Sequence, residues 1–265
     1  MNSKLIDEYS KELDFICTEM KYGYQKFGSN LSFEVKNKSE FDEVTSIDYA
    51  VEKYLIDAIK QRDPKAHILS EEYFSDTEIR DNTWIIDPID GTCNMTHKIP
   101  LYGMQCAYYR DNEIVCAAIY HVFHDEMFTA VKNGGAFLND EMIGPQSRSA
   151  NNAIISFGDF IHGDKYLNSL EHAMMKRISP CVEKIRMFGA ASIDFAYAAC
   201  GRIDGNITFT KKPWDIMPGI LLCQEAGLVI VNETGVPYKT GDRVVAVFAT
   251  EQLMKICMGQ ECNKV

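Results

Sequence analysis

Two short apolar runs that end on acidic residues constrain the fold more than any other feature of the sequence. Residues 67–69 precede Glu71 and Glu72, and Trp84-Ile85-Ile86 precedes Asp87. Apolar runs of this length indicate buried strands. Ligands of open α/β sheets usually bind at the carboxyl ends of the strands. The sequence therefore predicts an α/β protein with carboxylates gathered at one edge of a sheet.

Helices and strands are predicted to alternate along the chain. Apolar residues recur at three- and four-residue steps over residues 5–20 and 46–59, which indicates amphipathic helices, the second capped by Thr45 or Ser46. An antiparallel meander is predicted within residues 106–130. Later helices are expected over residues 167–178, 192–200 and 216–226, and strands over 153–157, 207–209 and, as the final strand, 228–231. The alternation predicts an α/β or a layered α+β architecture.

The chain is predicted to have two halves joined by a polar connection. Residues 144–152 are rich in serine and asparagine, which is typical of loops. We expect an N-terminal α+β half at residues 1–148 that carries most of the acidic candidates. A C-terminal α/β half at residues 149–265 carries Asp215, and the two halves form one compact catalytic unit.

Composition narrows the expected partners and location. The net charge of −11 disfavours nucleic acid and anionic membranes as partners. The nine cysteines are scattered without a CxxC pair, which is typical of reduced thiols in a cytosolic protein. Residues 1–12 lack an apolar signal-peptide core, and no later run is long enough to span a membrane. A cytoplasmic location is therefore predicted.

The segment Asp87-Pro88-Ile89-Asp90-Gly91-Thr92 is the first candidate for chemistry. Pro88 stiffens the turn between the two aspartates, Gly91 permits a tight backbone, and Thr92 is expected to cap the following helix. Two fixed carboxylates suit Mg²⁺, which prefers oxygen ligands and binds substrate phosphate. In isolation, however, an Asp-x-x-Asp-Gly segment is more often only a turn.

Three further acidic residues at similar junctions favour a metal site over a simple turn. Asp48 lies in the first turn of a predicted helix, Glu71 follows a strand, and Asp215 begins another helix. Glu72 is expected to point away from Glu71, either behind the site or into solvent. A metal site requires that these carboxylates lie close together in the folded protein.

These residues and their neighbours resemble the inositol monophosphatase family, within the larger group of Li⁺-sensitive, Mg²⁺-dependent phosphatases. The matching segments follow the family's order and cover most of the chain. They are Val44-Thr45-Ser46-Ile47-Asp48, Ser70-Glu71-Glu72, Trp84-Ile85-Ile86-Asp87-Pro88-Ile89-Asp90-Gly91-Thr92, Pro213-Trp214-Asp215 and Gln224-Glu225-Ala226-Gly227. The resemblance implies a layered αβαβα sandwich like that of inositol monophosphatases and fructose-1,6-bisphosphatases.

The resemblance also implies the roles of individual residues. It implies that two or three Mg²⁺ ions are held by Glu71, Asp87, Asp90, Asp215 and the backbone carbonyl of Ile89. It implies substrate contacts from Asp90, Gly91, Thr92, Gly189, Ala190, Ala191 and Asp215, with the N–H groups of Gly91 and Thr92 on the phosphate. Asp48, Glu71 and Thr92 are implied to orient and activate a water for in-line hydrolysis. A homodimer is the family's usual assembly.

The substrate is less constrained than the reaction. Inositol monophosphate is the first expectation, and NADP(H) and fructose 1,6-bisphosphate are alternatives within the same group. Animal inositol monophosphatases carry a substrate-contacting glutamate just before the Trp-Asp motif, but residues 208–212 contain no acidic residue. Lys211 and Lys212 could instead contact a second phosphate or remain on the solvated surface. A catalytically idle regulatory protein of the same fold is disfavoured because every expected acidic side chain is present.

Overall fold

The computed structural model describes residues 3–28, 33–40, 42–210 and 212–260. Its α-helices are α1 (Ser3–Phe27), α2 (Ser46–Arg62), α3 (Thr92–Thr96), α4 (Lys165–Ile178), α5 (Ala191–Ala199), α6 (Pro213–Ala226) and α7 (Glu251–Cys257). Its strands are β1 (Val35–Ser39), β2 (Asp42–Thr45), β3 (His67–Ser70), β4 (Thr83–Asp90), β5 (Gly103–Arg110), β6 (Glu113–His121), β7 (Glu126–Val131), β8 (Gly135–Leu138), β9 (Glu141–Met142), β10 (Ile154–Phe157), β11 (Lys184–Arg186), β12 (Gly205–Phe209), β13 (Val229–Val231) and β14 (Val244–Phe248).

The first sheet is a seven-stranded layer covered by the two N-terminal helices. Its strands follow chain order from β3 to β9, and only the β3–β4 pair is parallel. Helices α1 and α2 cover one face, where Ile16 and Leu55 are buried with Ile86 of β4. The apolar stripes predicted for both helices therefore pack against the sheet.

Helices α5 and α6 form the central layer between two sheets. Phe195 of α5 and Leu222 of α6 are buried with Phe128 of the first sheet and Val247 of the second. Gly219 permits the close approach of these helices, because a Cβ there would lie 2.3 Å from Cγ of Phe195. The two sheets are thus joined through one helical layer and one continuous core.

The second sheet has the order β11-β10-β12-β14-β13, with β10 parallel to β11 and β12, and β14 antiparallel to its neighbours. Helices α4 and α7 cover its outer face around Phe157, Met174 and Leu253. The layers are therefore α, β, α, β and α, which confirms the predicted fold class. Within the described ranges, no helix is both long and apolar enough to cross a membrane.

One prediction about the strands is wrong, and one hairpin was not predicted. The strand at residues 229–231 is not the last, since β14 and α7 follow it. All five β14 residues are buried, so the strand lacks the alternation that marks a half-exposed strand. The β1–β2 hairpin was not expected because β1 is exposed throughout and has no apolar pattern. The division at residues 148 and 149 falls between β9 and β10, and the two-half organisation stays a prediction.

Candidate active site

Parallel pairing of β3 and β4 places two acidic candidates side by side. Ser70 is opposite Ile86, and the N–H of Glu71 donates to the carbonyl of Ile86 at 3.2 Å. Glu71 and Asp87 consequently leave adjacent strands at the same edge. The pairing of β4 with β5 shifts register between Asp87 and Asp90. The segment expected to be a turn is therefore a bulged strand end, and Pro88, which lacks an N–H, lies in the bulge.

Asp48 of α2 is connected to the site by a hydrogen bond to Thr92. Thr45 caps α2, and its backbone N–H donates to Oδ2 of Asp48 at 2.9 Å, completing a capping box. The hydroxyl of Thr92 lies 3.1 Å from Oδ1 of Asp48 and 2.9 Å from the carbonyl oxygen of Ile89. Thr92 and Asp48, to which the family resemblance assigns a joint role, are therefore hydrogen-bonded to each other.

Thr92 does not cap α3, contrary to the expectation. Gly91 is the cap residue, with a left-handed φ of 86°, and Thr92 is the first residue of the helix. A Cβ at Gly91 would lie 2.9 Å from Cβ of Ala190 and 3.1 Å from the carbonyl oxygen of Leu101. Glycine is required at position 91 because φ is positive and because a Cβ would clash with its neighbours. Since Gly91 is the cap residue, the Thr92 hydroxyl remains available to Asp48.

Asp215 enters from α6, whose first residue is Pro213. The hydroxyl of Thr210 donates to Oδ2 of Asp215 at 3.1 Å. Trp214 is buried beside it, as expected for a residue that fixes the start of the helix. Asp215 thus reaches the cluster from a different layer than Glu71 and Asp87.

The predicted residues converge on a cleft of about 640 Å³. Its lining includes Glu71, Asp87, Ile89, Asp90, Gly91, Thr92, Gly189, Ala190, Ala191 and Asp215. Asp48 is buried behind Thr92 rather than lining the cleft. The structure therefore brings together the residues to which the family resemblance assigns a catalytic, metal-binding or substrate-binding role.

Four carboxylates repel one another in this cleft. Burial, followed by the charges of Glu71, Asp90 and Asp215, raises the pKa of Asp87 well above its usual value. Burial also raises the pKa of Asp90 to about 6 and that of Asp215 to about 8. In each case burial is the main cause, and the neighbouring carboxylates add to it, so the ionised forms are disfavoured unless a cation is bound.

The arrangement fits a hard divalent cation. Oδ1 of Asp87 is buried and has no hydrogen-bond partner among the described residues. The candidate ligands offer only oxygen atoms, which suits Mg²⁺ better than a softer metal. The Ile89 carbonyl accepts the Thr92 hydroxyl on one lone pair and has a second one available. An orphaned buried oxygen among like charges is the feature that a bound cation would satisfy.

Two lysines approach the cluster from its rim. Nζ of Lys212 lies 3.2 Å from Oε1 of Glu71, and Nζ of Lys38 lies 3.4 Å from the same atom. Lys38 also pairs with Glu72, whose side chain is only 2% exposed. Glu72 is therefore behind the site rather than in solvent, and burial raises its pKa to about 7. Lys211 lies outside the described residues.

Three positioning residues were not recognised in the sequence. Glu52 of α2 is fully buried and accepts the Ser70 hydroxyl and the N–H groups of Glu72 and Tyr73. It could have been found, because it lies four residues after Asp48 on the same helical face. The N–H of Ser192 donates to Oδ2 of Asp90 at 2.6 Å. Asn94 ties α3 to the loop before Gly189 through the carbonyl of Phe188.

The family assignment follows from sequence comparison. The inositol monophosphatase family matches residues 14–262. An inositol monophosphatase of Dictyostelium discoideum is 34% identical over 240 residues, covering 89% of this chain and 88% of that protein. The chain therefore belongs to the inositol monophosphatase family, a class of phosphomonoesterases that are generally Mg²⁺-dependent and act on small phosphorylated substrates.

Solved structures share the fold. The extragenic suppressor protein suhB of Bartonella henselae has a TM-score of 0.85 at 26% identity, covering 95% of this chain and 98% of that one. A structure described as an IMPase/NADP phosphatase complexed with Mg²⁺ and phosphate has a TM-score of 0.79 at 22% identity, covering 95% of each chain. At that identity the second likeness shows the fold alone.

Proposed function

We propose that this chain hydrolyses a small phosphomonoester, inositol monophosphate first among them, in a Mg²⁺-dependent reaction. The observation that carries the proposal is the orphaned, buried Oδ1 of Asp87 among the carboxylates of Glu71, Asp90 and Asp215. Glu71 follows β3 and Asp87 and Asp90 lie on the next strand, β4, whereas Asp215 comes from α6, much later in the chain. Like charges brought together in this way are costly unless a cation binds between them.

Two or three Mg²⁺ ions would be held by Glu71, Asp87, Asp90, Asp215 and the carbonyl of Ile89. When bound, Mg²⁺ supplies Lewis-acid chemistry, because it neutralises phosphoryl oxygens and lowers the pKa of water.

The chain's own residues would position the water and the phosphate. The single hydroxyl proton of Thr92 is shared between Oδ1 of Asp48 and the carbonyl oxygen of Ile89, so the lone pairs of the hydroxyl oxygen are left to orient a water. Glu71 is the carboxylate available to accept a proton from that water. The N–H groups of Gly91 and Thr92, with Ala190 and Ala191 opposite, would seat the phosphate, and Gly189 gives the loop its turn. Asp90 and Asp215 complete the wall around the substrate.

The position of Lys212 favours a monophosphate over a bisphosphate. At the rim of the cluster its ammonium lies 3.2 Å from Oε1 of Glu71, so this lysine is engaged by a carboxylate rather than left to bind a second phosphate. NADP(H) and fructose 1,6-bisphosphate are therefore the alternatives, and an idle regulatory protein is the alternative of another class. By analogy with the family, we further propose that Li⁺ inhibits the protein and that its location is cytoplasmic. We also propose a homodimer, which light scattering of the purified protein tests.

Phosphate release measured side by side on inositol 1-phosphate, fructose 1,6-bisphosphate and NADP⁺ tests the proposal. Activity is expected only with Mg²⁺, with inositol 1-phosphate giving the highest kcat/KM. Asp90→Asn is expected to remove it, while Asp57→Asn, an exposed change on α2, serves as the control. Full activity in EDTA, or full activity of Asp90→Asn, would contradict the mechanism, and inactivity on all three substrates would favour the idle protein.

A further inference from the structure

A thiol, an imidazole and a carboxylate come together beside the cleft, outside the cluster of four carboxylates. Glu43 lies on β2, Cys93 is the second residue of α3, and His97 immediately follows that helix. Sγ of Cys93, a ring nitrogen of His97 and a carboxylate oxygen of Glu43 all lie within 4.8 Å of one another. The proposed reaction uses none of these three side chains, although all three are of types that bind metal ions.

Helix α3 places Cys93 and His97 on one face, because residues four apart on a helix are neighbours. Sγ of Cys93 lies 3.8 Å from Nδ1 of His97. Nδ1 is also 2.9 Å from the carbonyl oxygen of Cys93, which can only accept, so Nδ1 carries the proton and Nε2 keeps its lone pair. A metal-binding histidine usually has this arrangement, with one nitrogen donating to a carbonyl and the other available.

Thr96 orients the carboxylate of Glu43. The Thr96 hydroxyl donates to Oε2 of Glu43 at 2.8 Å, which connects α3 to β2 and leaves Oε1 of Glu43 for another partner. Glu43 is half-buried, whereas Cys93 and His97 are exposed, so an ion can reach the three side chains from solvent. Two of the three candidate ligands are therefore held in place by neighbouring groups.

The chemistry of the three groups selects a softer metal than Mg²⁺. Thiolate, imidazole and carboxylate together suit Zn²⁺, whereas Mg²⁺ takes oxygen ligands such as those of the carboxylate cluster. Burial, followed by the charges of Glu43 and Asp159, raises the pKa of the Cys93 thiol. A metal ion that binds the sulfur would therefore displace the thiol proton into solvent.

We propose that Glu43, Cys93 and His97 bind a Zn²⁺ ion beside the cleft, at a site separate from the carboxylates that would hold Mg²⁺. Glu43 and Cys93 line the same cleft as Thr92, and His97 contributes from the end of α3. Three protein ligands leave the fourth tetrahedral position to water. The ion would link β2 to the helix that begins at Thr92. This inference goes beyond the proposed phosphatase function and does not depend on it.

Metal binding to the reduced, metal-free protein tests the proposal. Zn²⁺ is titrated by calorimetry in excess Mg²⁺, so that the oxygen ligands of the cleft are occupied. Co²⁺ is then used as a spectroscopic probe, because a thiolate ligand gives a near-ultraviolet charge-transfer band that oxygen ligands do not give. We expect the wild type to bind one Zn²⁺ at this site and to show the Co²⁺ band.

Cys93→Ser should abolish the Co²⁺ band and weaken Zn²⁺ binding by about 100-fold or more, because loss of a ligand should exceed the loss of an outer partner. His97→Gln should weaken binding to a similar extent, and it tests the site independently should Cys93→Ser fold poorly. Thr96→Val retains all three ligands but loses the hydroxyl that orients Glu43, and about a tenfold loss is expected. Thr96→Ser should bind Zn²⁺ like the wild type.

Two control variants change the same residue types elsewhere. His172 is also exposed, and its Nδ1 lies 2.6 Å from the carbonyl oxygen of Asn168, four residues earlier. In the part of the chain that the structure describes, His172 belongs to no comparable group of three ligands. His172→Gln and Cys181→Ser should therefore retain both the affinity for Zn²⁺ and the Co²⁺ band.

A wild type without the Co²⁺ charge-transfer band would overturn the proposal, because the ion would then bind without the sulfur. Unchanged Zn²⁺ affinity in folded Cys93→Ser and His97→Gln would overturn it as well and would assign the ion to the carboxylate cluster. An equal loss in His172→Gln would also contradict it. Failure of the proposed phosphatase function is seen separately, as a lack of phosphate release in Mg²⁺, and leaves these binding measurements unaffected.

Discussion

Glu52 is expected to hold the turn that carries Glu71, and removing it should damage both stability and metal binding. Its carboxylate accepts the Ser70 hydroxyl, the N–H of Glu72 at 2.9 Å and the N–H of Tyr73 at 2.8 Å. In Glu52→Ala these donors lose their acceptor, at about 1–3 kcal/mol each for a group left unsatisfied. Water and relaxation recover part of this, so we expect a loss of about 3–5 kcal/mol in the free energy of unfolding.

Urea unfolding followed by circular dichroism in EDTA measures that loss directly. Glu52→Gln retains a carbonyl acceptor and should lose less than Glu52→Ala. Asp57→Ala is the control on the same helix, because Asp57 is exposed and its ion pair with Lys53, four residues away, is a surface pair. A loss below about 1 kcal/mol in Glu52→Ala would refute the hydrogen-bond reasoning.

A second readout separates positioning from simple stability. Glu71 immediately precedes the two residues whose N–H groups Glu52 binds, so a loosened turn should misplace its carboxylate. Residues that orient metal ligands typically affect metal affinity by 10- to 100-fold, and we expect the Mg²⁺ concentration for half-maximal activity to rise by about tenfold or more. An unchanged Mg²⁺ dependence in a destabilised Glu52→Ala would show that Glu52 supports the fold alone.

Three further predictions follow from the geometry. Burial raises the pKa of Asp90 to about 6 and that of Asp215 to about 8. Above about pH 4 the folded state therefore binds more protons than the unfolded state. The Tm in EDTA should consequently fall as the pH rises from about 5 to about 8.5. Excess Mg²⁺ should reduce that fall, and a Tm in EDTA that rises with pH would contradict this. Gly91→Ala should destabilise the protein more than Gly227→Ala. Gly227 has the same left-handed backbone, but among the described residues no atom lies within 4 Å of a Cβ built there. Only Gly91→Ala should lower kcat/KM in assays of folded protein. Thr92→Val should lower kcat by about 100-fold while Thr92→Ser retains most activity, and equal rates would remove the hydroxyl from the mechanism.

The parts of the fold that the sequence predicted carry a strong local signal. Helices α1 and α2 present apolar stripes, and the runs before Glu71 and Asp87 are short and apolar. Strand β14 was missed although its five apolar residues carry a similar signal; a short apolar run also suits a buried helix segment, and the pairing with β12 and β13 identifies this one as a strand.

The residues of the candidate site also differ in whether the local sequence reveals them. Asp87 and Asp90 were found because strand-end carboxylates near a glycine are recognisable from spacing alone. Ser192 was not, since the sequence gives no sign that the first turn of α5 lies beside Asp90 at the end of β4. Its N–H donates to Oδ2 of Asp90 only because the packing of α5 against the first sheet brings the two together. Residues whose role comes from a neighbouring layer are the ones that local sequence patterns cannot reveal.

The burial pattern also explains why the cleft should depend on its cation for stability as well as for chemistry. Asp87 is 1% exposed with an unpartnered oxygen, and Glu71, Asp90 and Asp215 add charge of the same sign. Lys212 and Lys38 pair with Glu71, and the charge of Lys212 offsets only part of the effect of burial and of the neighbouring carboxylates on Asp87 and Asp215. The folded chain therefore holds a destabilised arrangement that binding of Mg²⁺ to the native state alone would relieve. Stability and catalysis at this cleft are two consequences of the same uncompensated charge.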